Sequence, residues 1–376
     1  MMKIGYDAKR AFTNTSGLGN YSRFVISGMM THFPQEEYAL FTPRRNDLFK
    51  NFYPPVAKTQ VVQPNGMGKR FSSFWRTFGL RAALPKHGVQ VYHGLSNELP
   101  YGIDRTRTKL VVTIHDLIFL RFPELYPAID RYIYRKKFKD ACDMAHQIVA
   151  ISEQTAQDLE EFFGVAREKV QVVYQDCDPV FQLIPEKEPL NAVRVKYNLP
   201  AEFILCVGTL ERRKNQLHLL QGWLAAGAPV PLVFIGKKTD YYKEMEAFIQ
   251  KNALQDKVLF LPYIPFQELP LIYQLASLFV YPSVFEGFGI PIVEALNSGV
   301  PVITSTGSCF SEAGGPATRY VSPTDPEALA HHIQEILGNS DLQKQMVKAG
   351  LEHAQTFRPE VTIPQLHRVY EQVLAR

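Results

Sequence analysis

The sequence predicts an α/β protein of two doubly wound, Rossmann-like domains facing one another across a cleft, and three observations predict it. Short apolar runs alternate with helical stretches along almost the whole chain, the pattern of parallel βαβ units. The apolar runs are continuous rather than alternating with polar residues, as strands are when helices cover both faces of their sheet. The alternation lapses once, between Asp176 and Pro200, where Pro179, Pro185, Pro189 and Pro200 stand among acids and asparagine, and then resumes. A chain of 376 residues is long enough for two domains of ordinary size.

In the first half, strands are expected at 3–8, 38–43, 59–63, 89–94, 109–115, 147–152 and 169–174, with helices at 18–31, 72–84, 129–144 and 153–163. In the second half, strands are expected at 203–208, 230–235, 258–261, 278–282, 301–304 and 320–321. The helices between and after them fall at 216–225, 241–252, 266–276, 291–297, 326–337 and 340–356. Asp325-Pro326-Glu327 is a strong helix start, with a cap, a proline that gives up no needed donor, and an acid in the first turn. The tail 359–375 reads as one more amphipathic helix through Val361, Ile363, Leu366, Val369, Tyr370, Val373 and Leu374. No repeat exceeds the βα alternation itself.

The hydrophobic content of 46% and charged content of 21% are those of a globular chain. The net charge of +4, from 41 basic and 37 acidic side chains, is mild. It suits an anionic small ligand or a weak peripheral contact with an anionic membrane, and does not call for nucleic acid. Cys142, Cys177, Cys206 and Cys309 form no C-x-x-C frame, and free thiols fit a reducing compartment. Met1-Met2-Lys3-Ile4-Gly5-Tyr6-Asp7 reaches an acid too early for a signal peptide, and no apolar run is long enough to span a bilayer. The expected location is cytoplasmic, with the inner face of the membrane as the one surface to which the chain would attach.

Chemistry is concentrated in a few places. The frame Glu286-Gly287-Phe288-Gly289-Ile290-Pro291-Ile292-Val293-Glu294 follows an apolar strand directly. Pro291 suits the first position of a helix, so Glu286 lies in the strand-to-helix loop and Glu294 on the opening turn. The glycines admit a ligand close to bare backbone, the helix start offers unpaired N–H groups, and carboxylates accept hydrogen bonds from hydroxyls. A second frame, Gly208-Thr209-Leu210-Glu211-Arg212-Arg213-Lys214-Asn215, also follows a strand. Asn215 can cap the next helix, and three cations at a helix start oppose its dipole unless an anion sits among them. A diphosphate is the obvious anion.

Thr113-Ile114-His115-Asp116 ends a strongly apolar strand, where ligands bind in such sheets, and Asp116 can orient the imidazole. Thr15-Ser16-Gly17-Leu18-Gly19-Asn20-Tyr21 follows the first strand, but lacks the third glycine of a dinucleotide fingerprint. The stretch from Lys69 to Phe78 mixes aromatics with bases. Such a stripe more often buries its rings and solvates its charges than meets a lipid, and it is read so here. Arg131, Arg135, Lys136, Lys137 and Lys139 make a basic helical face, read as solvated. The sequence shows no clustered metal-ligand set, no G-x-x-x-x-G-K-[ST] and no G-x-S-x-G.

These residues resemble the retaining glycosyltransferases of the GT-B fold, family 4, which include bacterial mannosyl- and glucosyltransferases. The resemblance runs over essentially the whole chain. It rests on Phe285–Glu294, Gly208–Asn215, His115-Asp116, Gly17-Leu18-Gly19, Val149-Ala150-Ile151-Ser152-Glu153 and Val91-Tyr92-His93-Gly94. It implies a first, acceptor-side domain over 1–180 completed by a crossover helix at 358–376, a linker at 181–199, and a nucleotide-sugar domain over 200–357.

The resemblance implies that Glu286 and the amides of Gly287, Phe288 and Gly289 hold the donor sugar and that Glu294 holds the ribose. Gly208, Arg213 and Lys214 would line the diphosphate, Gly17 would approach it or the acceptor, and His115 would contact the sugar near the reacting carbon. The nearest family run is G-T-L-E-P-R-K-N. Arg212 stands in place of its proline, which leaves Arg212 and Arg213 as rivals for the phosphate, with Arg213 preferred.

The implied reaction is transfer of a mannose- or glucose-type hexose from a GDP- or UDP-linked donor to a glycan or lipid-linked acceptor, with retained anomeric configuration. It needs no metal and no cofactor beyond the donor. A nucleotide-sugar epimerase and a non-catalytic nucleotide-sugar-binding homologue are the alternatives.

Overall fold

Continuous apolar runs become buried parallel strands throughout the structure, a computed structural model that describes residues 1–46, 49, 51–54, 58–65, 71–182 and 187–376. Two units result, Met1–Gln175 with Phe357–Arg376, and Asp176–Thr356.

The first unit carries β1 Lys3–Asp7, β2 Glu37–Phe41, β3 Thr59–Val62, β4 Val91–Gly94, β5 Lys109–Ile114, β6 Gln147–Ala150 and β7 Val170–Val172. They form one parallel sheet in the order β3-β2-β1-β4-β5-β6-β7. The second unit carries β8 Ile204–Val207, β9 Leu232–Ile235, β10 Val258–Leu261, β11 Leu278–Tyr281, β12 Val302–Ser305 and β13 Arg319–Val321. These form a second parallel sheet, ordered β10-β9-β8-β11-β12-β13. Both sheets are doubly wound, as the alternation predicts. In each, the strand order reverses once, between β1 and β4 and between β8 and β11, and ligands bind at the carboxyl ends of strands flanking such a reversal. Pro282 and Pro301, expected inside strands, fall just outside them, since a proline cannot donate to the ladder.

The helices that cover these sheets follow the sequence closely where apolar periodicity is long. Glu153–Phe163 is capped by Ser152, whose hydroxyl accepts from the Thr155 N–H, and it ends on left-handed Gly164. Pro326–Leu337 is capped by Asp325 at 2.9 Å from the Ala328 nitrogen, as its first turn announces. The expected helix at 72–84 runs instead as three linked turns, Ser72–Phe74, a π-helical Trp75–Gly79, and Leu80–Lys86.

The region expected as a linker, 181–199, carries the helix Lys187–Lys196 and groups with the second unit. Phe181 anchors it there, fully buried with its ring 5.5 Å from that of Tyr273. Residues 183–186 of the expected linker, including Pro185, lie outside the described residues, as do Lys69 and Arg70.

The tail folds as the helix Pro359–Ala375 and completes the first unit. Ile363, Leu366, Val369, Tyr370 and Val373 are all but fully buried. The helix Gly17–His32 receives it through Gly28, where a β-carbon would stand 2.6 Å from the Ile363 Cδ1. Tyr370 Oη lies 2.7 Å from His93 Nδ1, and His93 Nε2 lies 2.8 Å from Thr113 Oγ1. A wholly buried network thus ties the last helix to β4 and β5.

Candidate functional site

The two frames singled out in the sequence emerge side by side. Gly208 follows β8 at φ 147°, and the chain then makes a 3₁₀ turn, Arg212–Lys214, before the helix Gln216–Ala225. The acid frame leaves β11 and enters the helix Ile290–Asn297 through Gly289 at φ 102°, a left-handed conformation that favours glycine. Since β8 and β11 are neighbours at the strand-order reversal, both loops sit where this architecture binds ligands.

Glu286 is the node between them. Its Oε1 lies 2.6 Å from Arg213 Nη1, 2.7 Å from Lys214 Nζ and 2.5 Å from Ser283 Oγ, which donates to it. Arg213 also donates to the Phe285 carbonyl at 2.7 Å and to Glu211 Oε1 at 2.7 Å. Lys214 donates to Tyr281 Oη and lies 4.8 Å from the centre of that ring. The backbone joins the two loops as well, through the Val284 N–H donating to the Arg213 carbonyl at 2.8 Å. Ser308 receives the Glu286 N–H at 3.2 Å and donates to the Glu286 carbonyl at 3.0 Å. Burial pushes the Glu286 carboxyl up. Lys214 and Arg213, with the Lys214 and Ser283 hydrogen bonds, override it and hold the group at about 2.

All these side-chain contacts fall on Oε1. Of the two rival arginines, Arg213 turns inward to Glu286, while Arg212 stays exposed and pairs with Glu244 at 2.6 Å.

Asn215, expected to cap the following helix, adopts a left-handed conformation without capping it, and its Nδ2 donates to the Pro323 carbonyl at 2.9 Å. The side chain is spent tying the basic loop to the segment after β13. Gly208 is crowded from β9, since a β-carbon at Gly236 would lie 1.9 Å from the Gly208 carbonyl oxygen. Gly236→Ala should therefore shift the basic loop and cost about 1–3 kcal/mol of stability, read as a lowered chemical-denaturation midpoint with a weakened response to nucleotide.

Glu294 is the fifth residue of its helix, one turn deeper than the opening turn expected for it. It is buried and accepts a hydrogen bond from Tyr273 Oη at 2.8 Å. Burial drives its carboxyl up to about 7, with Asp178 adding to the rise and the Tyr273 hydrogen bond opposing it. Phe288 is buried, and its chain neighbours Gly287 and Gly289 carry the backbone of the loop.

In the first unit, His115 follows β5 and is buried. Its Nε2–H donates to the Leu95 carbonyl at 2.9 Å, and its own N–H to Asn97 Oδ1 at 2.8 Å. Asp116 Oδ1 accepts from the Ile118 N–H at 3.1 Å, so the hydrogen bond that fixes the imidazole is the one to Leu95 rather than the expected one to Asp116. Burial, assisted by Arg10 and opposed by the Leu95 hydrogen bond, holds His115 neutral, near 4. With Nε2 protonated, Nδ1 carries the lone pair. Tyr21 packs edge-on to the imidazole at 4.7 Å.

Gly17 opens its helix with open space beside it, whereas Gly19 is demanded by packing, its β-carbon position lying 2.0 Å from the Asn14 carbonyl oxygen. Asn14 organises this turn, with Oδ1 accepting from the Ser16 and Gly19 nitrogens.

Several participants escape sequence reasoning. At the β1/β4 reversal, Arg76 pairs with Asp7 at 2.5 Å and with Glu98 at 3.5 Å, contacts made across 69 and 22 residues that no local pattern announces. Ser283, Tyr281 and Ser308 around Glu286 are equally unannounced. His331, His332 and Glu335, unannounced as a cluster by the sequence, bring their ligand atoms within 4.8 Å of one another. These belong to the helix Pro326–Leu337, and Glu335 already pairs with Arg319 at 3.1 Å. A cavity of about 640 Å³, lined by Glu202, Pro229, Ala276, Pro301 and Lys344, opens at the amino ends of β8, β9, β11 and β12, the opposite sheet edge from the two loops.

Two family models match the chain: glycosyl transferases group 1 over residues 191–353, and glycosyltransferase family 4 over residues 29–179. The chain is 29% identical over 391 aligned residues to the O-antigen chain mannosyltransferase B of Escherichia coli, covering 98% of this chain and 100% of that protein. In fold it is similar to a glycosyltransferase from Rickettsia africae, with a TM-score of 0.76 at 16% identity, covering 99% and 98% of the two chains. It is similar in the same way to Anabaena HepE in complex with UDP-glucose, with a TM-score of 0.75 at 16% identity, covering 99% and 100%.

Proposed function

The chain belongs to the glycosyltransferases of group 1 and family 4, and from that premise we propose that it moves a mannose- or glucose-type hexose from a nucleoside-diphosphate donor to an acceptor hydroxyl, retaining the anomeric configuration, in glycan or polysaccharide synthesis. The observation that carries this reading is the meeting of the two loops at Glu286, whose Oε1 is held between Arg213 and Lys214. A carboxylate held near 2 stays ionised at any physiological pH and is a strong acceptor for sugar hydroxyls. The two cations beside it supply what a diphosphate needs.

The barrier in such a transfer is cleavage of the bond between the sugar and its diphosphate. Charge develops on the departing oxygen, and Arg213 and Lys214 are the groups assigned to stabilise it, with Gly208 allowing close backbone approach. Glu286 and the amides of Gly287, Phe288 and Gly289 are assigned to the sugar, Glu294 to the ribose, and His115 of the first unit to the sugar near the reacting carbon. Gly17 is assigned to approach the diphosphate or the acceptor. The neutral His115 offers a lone pair at Nδ1 and carries no charge to repel an electron-poor anomeric carbon. The donor is the only small molecule required beside a glycan or lipid-linked acceptor, no metal or cofactor is assigned, and the reaction is assigned to the cytoplasm. Relatives handle mannose and UDP-glucose by name, which favours a GDP- or UDP-linked hexose.

Incubating the protein with GDP-mannose, UDP-glucose and ADP-glucose, each with and without an acceptor mixture, tests the reading. Acceptor-dependent release of one nucleoside diphosphate, with the donor's anomeric configuration found in the product by NMR, is expected. Donor converted to an isomer without acceptor would make the protein an epimerase, and donor bound but never consumed would make it a sensor.

Glu294 supplies a pH signature. Its folded-state value of about 7 stands above the ordinary 4.5, so its share of stability is present below 4.5 and is lost as pH rises through 7. Ribose hydroxyls donating to it favour the ionised form. Nucleotide binding near pH 6.5–7 should therefore release a substantial fraction of one proton, about 0.5 or more. Calorimetry in buffers of different ionisation enthalpy measures it, and Glu294→Gln should abolish it.

A further inference from the structure

The stripe from Phe71 to Phe78 turns Trp75 toward the core but leaves its phenylalanine rings exposed. Phe71 is 58% and Phe74 64% exposed. A second helix, Ala128–Met144, repeats the anomaly, with Ile129 at 65% and Tyr132 at 68% and Ile133 beside them. Positions 129, 132, 133, 136 and 137 share one helical face, and that face is apolar at its start and basic at its end. Seven of the fourteen large hydrophobic side chains exposed among the described residues fall in these two stretches. Isolated exposed hydrophobics are ordinary, whereas a contiguous set is not.

The two stretches are linked through Tyr101 and Asp140. Phe74 packs on Phe78 at 5.2 Å, and Phe78 stacks on Tyr101 at 5.9 Å. Tyr101 Oη donates to Asp140 at 2.5 Å, and Lys136, one turn from Tyr132 and Ile133, pairs with Asp140 at 3.1 Å. Beneath them Glu98 bridges Arg76 and Lys137 at 3.5 and 3.3 Å. The whole surface belongs to the first unit.

Its charge identifies what covers it. The helix Ala128–Met144 carries five cations against three acids, and residues 72–86 carry no acid and, beside the Arg76 that pairs with Asp7, the cations Arg81 and Lys86. Asp140 and Asp143 are already matched by Lys136 and Lys139, while exposed Arg81 and Arg135 have no ion pair among the described residues. Aromatic rings with a polar tip and long basic stems lying along apolar surface are the chemistry of a membrane interface. A second copy of the chain would set these cations against each other, and protein interfaces exclude lysine from their cores. No described helix is long and apolar enough to cross a bilayer, so the contact is peripheral.

We propose that the exposed face formed by Phe71, Phe74 and Phe78 with Ile129, Tyr132 and Ile133, fringed by Arg81 and Arg135, docks the first unit onto an anionic lipid bilayer. The proposal does not depend on the donor assigned above, since it concerns none of the residues that would hold it. Docking keeps the enzyme at the surface where a lipid-linked acceptor is anchored, and raises their encounter rate.

The test is co-sedimentation of the full chain with vesicles of phosphatidylcholine alone or mixed equally with phosphatidylglycerol. Binding to the mixed vesicles only, weakening as salt is raised, is expected. The triple variant Ile129→Ser, Tyr132→Ser, Ile133→Ser should bind about tenfold more weakly or worse, and so should Arg81→Gln with Arg135→Gln. Both should keep the native melting temperature and full activity on a water-soluble acceptor. In Tyr132→Trp, the added indole emission should move to the blue on mixing with anionic vesicles. Failure to sediment with either vesicle, undiminished binding of the triple variant, or an unmoved Tyr132→Trp spectrum overturns the proposal. A concentration-dependent dimer in light scattering that the triple variant abolishes would assign the face to a second copy instead.

Discussion

Lys214→Ala should lower the rate of sugar transfer at saturating donor by about 10²–10³-fold, the usual cost of removing one preorganised charge from a developing anion. The lysine reaches its post from the turn after β8, with Nζ 2.7 Å from Glu286 and its stem beside Tyr281. The loss should fall on kcat more than on KM, because charge on the bridging oxygen grows as the bond breaks. Arg213 keeps its 2.6 Å contact with Glu286 in the variant, so the buried carboxylate retains a partner and the fold persists. Circular dichroism and a melting curve check the fold, and single-turnover kinetics check the rate. Turnover equal to the native enzyme would remove Lys214 from the diphosphate.

Glu286→Gln should have the larger structural effect and an equally severe chemical one. The amide keeps the shape but leaves Arg213 and Lys214, both largely buried, without the counter-charge they share, and breaking such a buried pair costs about 3–5 kcal/mol. The acid limb of the stability curve should change as well. With Glu286 held at about 2 against an ordinary 4.5, its contribution is present above 4.5 and is lost as pH falls from there toward 2. The variant should lack that increment of acid destabilisation. A nucleoside diphosphate can replace the missing anion between the two cations, so GDP or UDP should raise the variant's melting temperature more than the native enzyme's, even though sugar transfer is gone. A smaller ligand-induced shift in the variant would argue that the cations do not meet the diphosphate.

The legible parts of this molecule were those that local chemistry specifies. Continuous runs such as Leu110-Val111-Val112-Thr113-Ile114 declare a strand covered on both faces, and Asp325-Pro326-Glu327 declares a helix start. The neighbouring placement of the two loops follows from strand order, once β8 and β11 flank the reversal. Short helices were not legible. Lys9–Thr13 is too brief for a period to register, and Lys187–Lys196 begins among prolines and acids that read as a break. Long-range polar pairing was not legible either. Arg76 and Asp7 meet across 69 residues, and Tyr273 reaches Glu294 from another helix. Asn215 had the right identity for a cap, but a carbonyl 108 residues away claimed its side chain. The exposure of Phe71 and Phe74 ran against an average rule. A periodic stripe tells which residues share a face and not what that face will meet.

The tail helix has a consequence for how the protein comes into being. Tyr370 and His93, hydrogen-bonded in the interior of the first unit, are separated by 277 residues. A ribosome must therefore finish residues 176–356, the entire other half, before the residues that seal the earlier one exist. The amino-terminal sheet waits with a hydrophobic flank uncovered until the helix Pro359–Ala375 emerges to close it. A chain stopped at Thr356 would keep every group proposed to hold the donor and yet be an unfinished protein, prone to clump or be degraded.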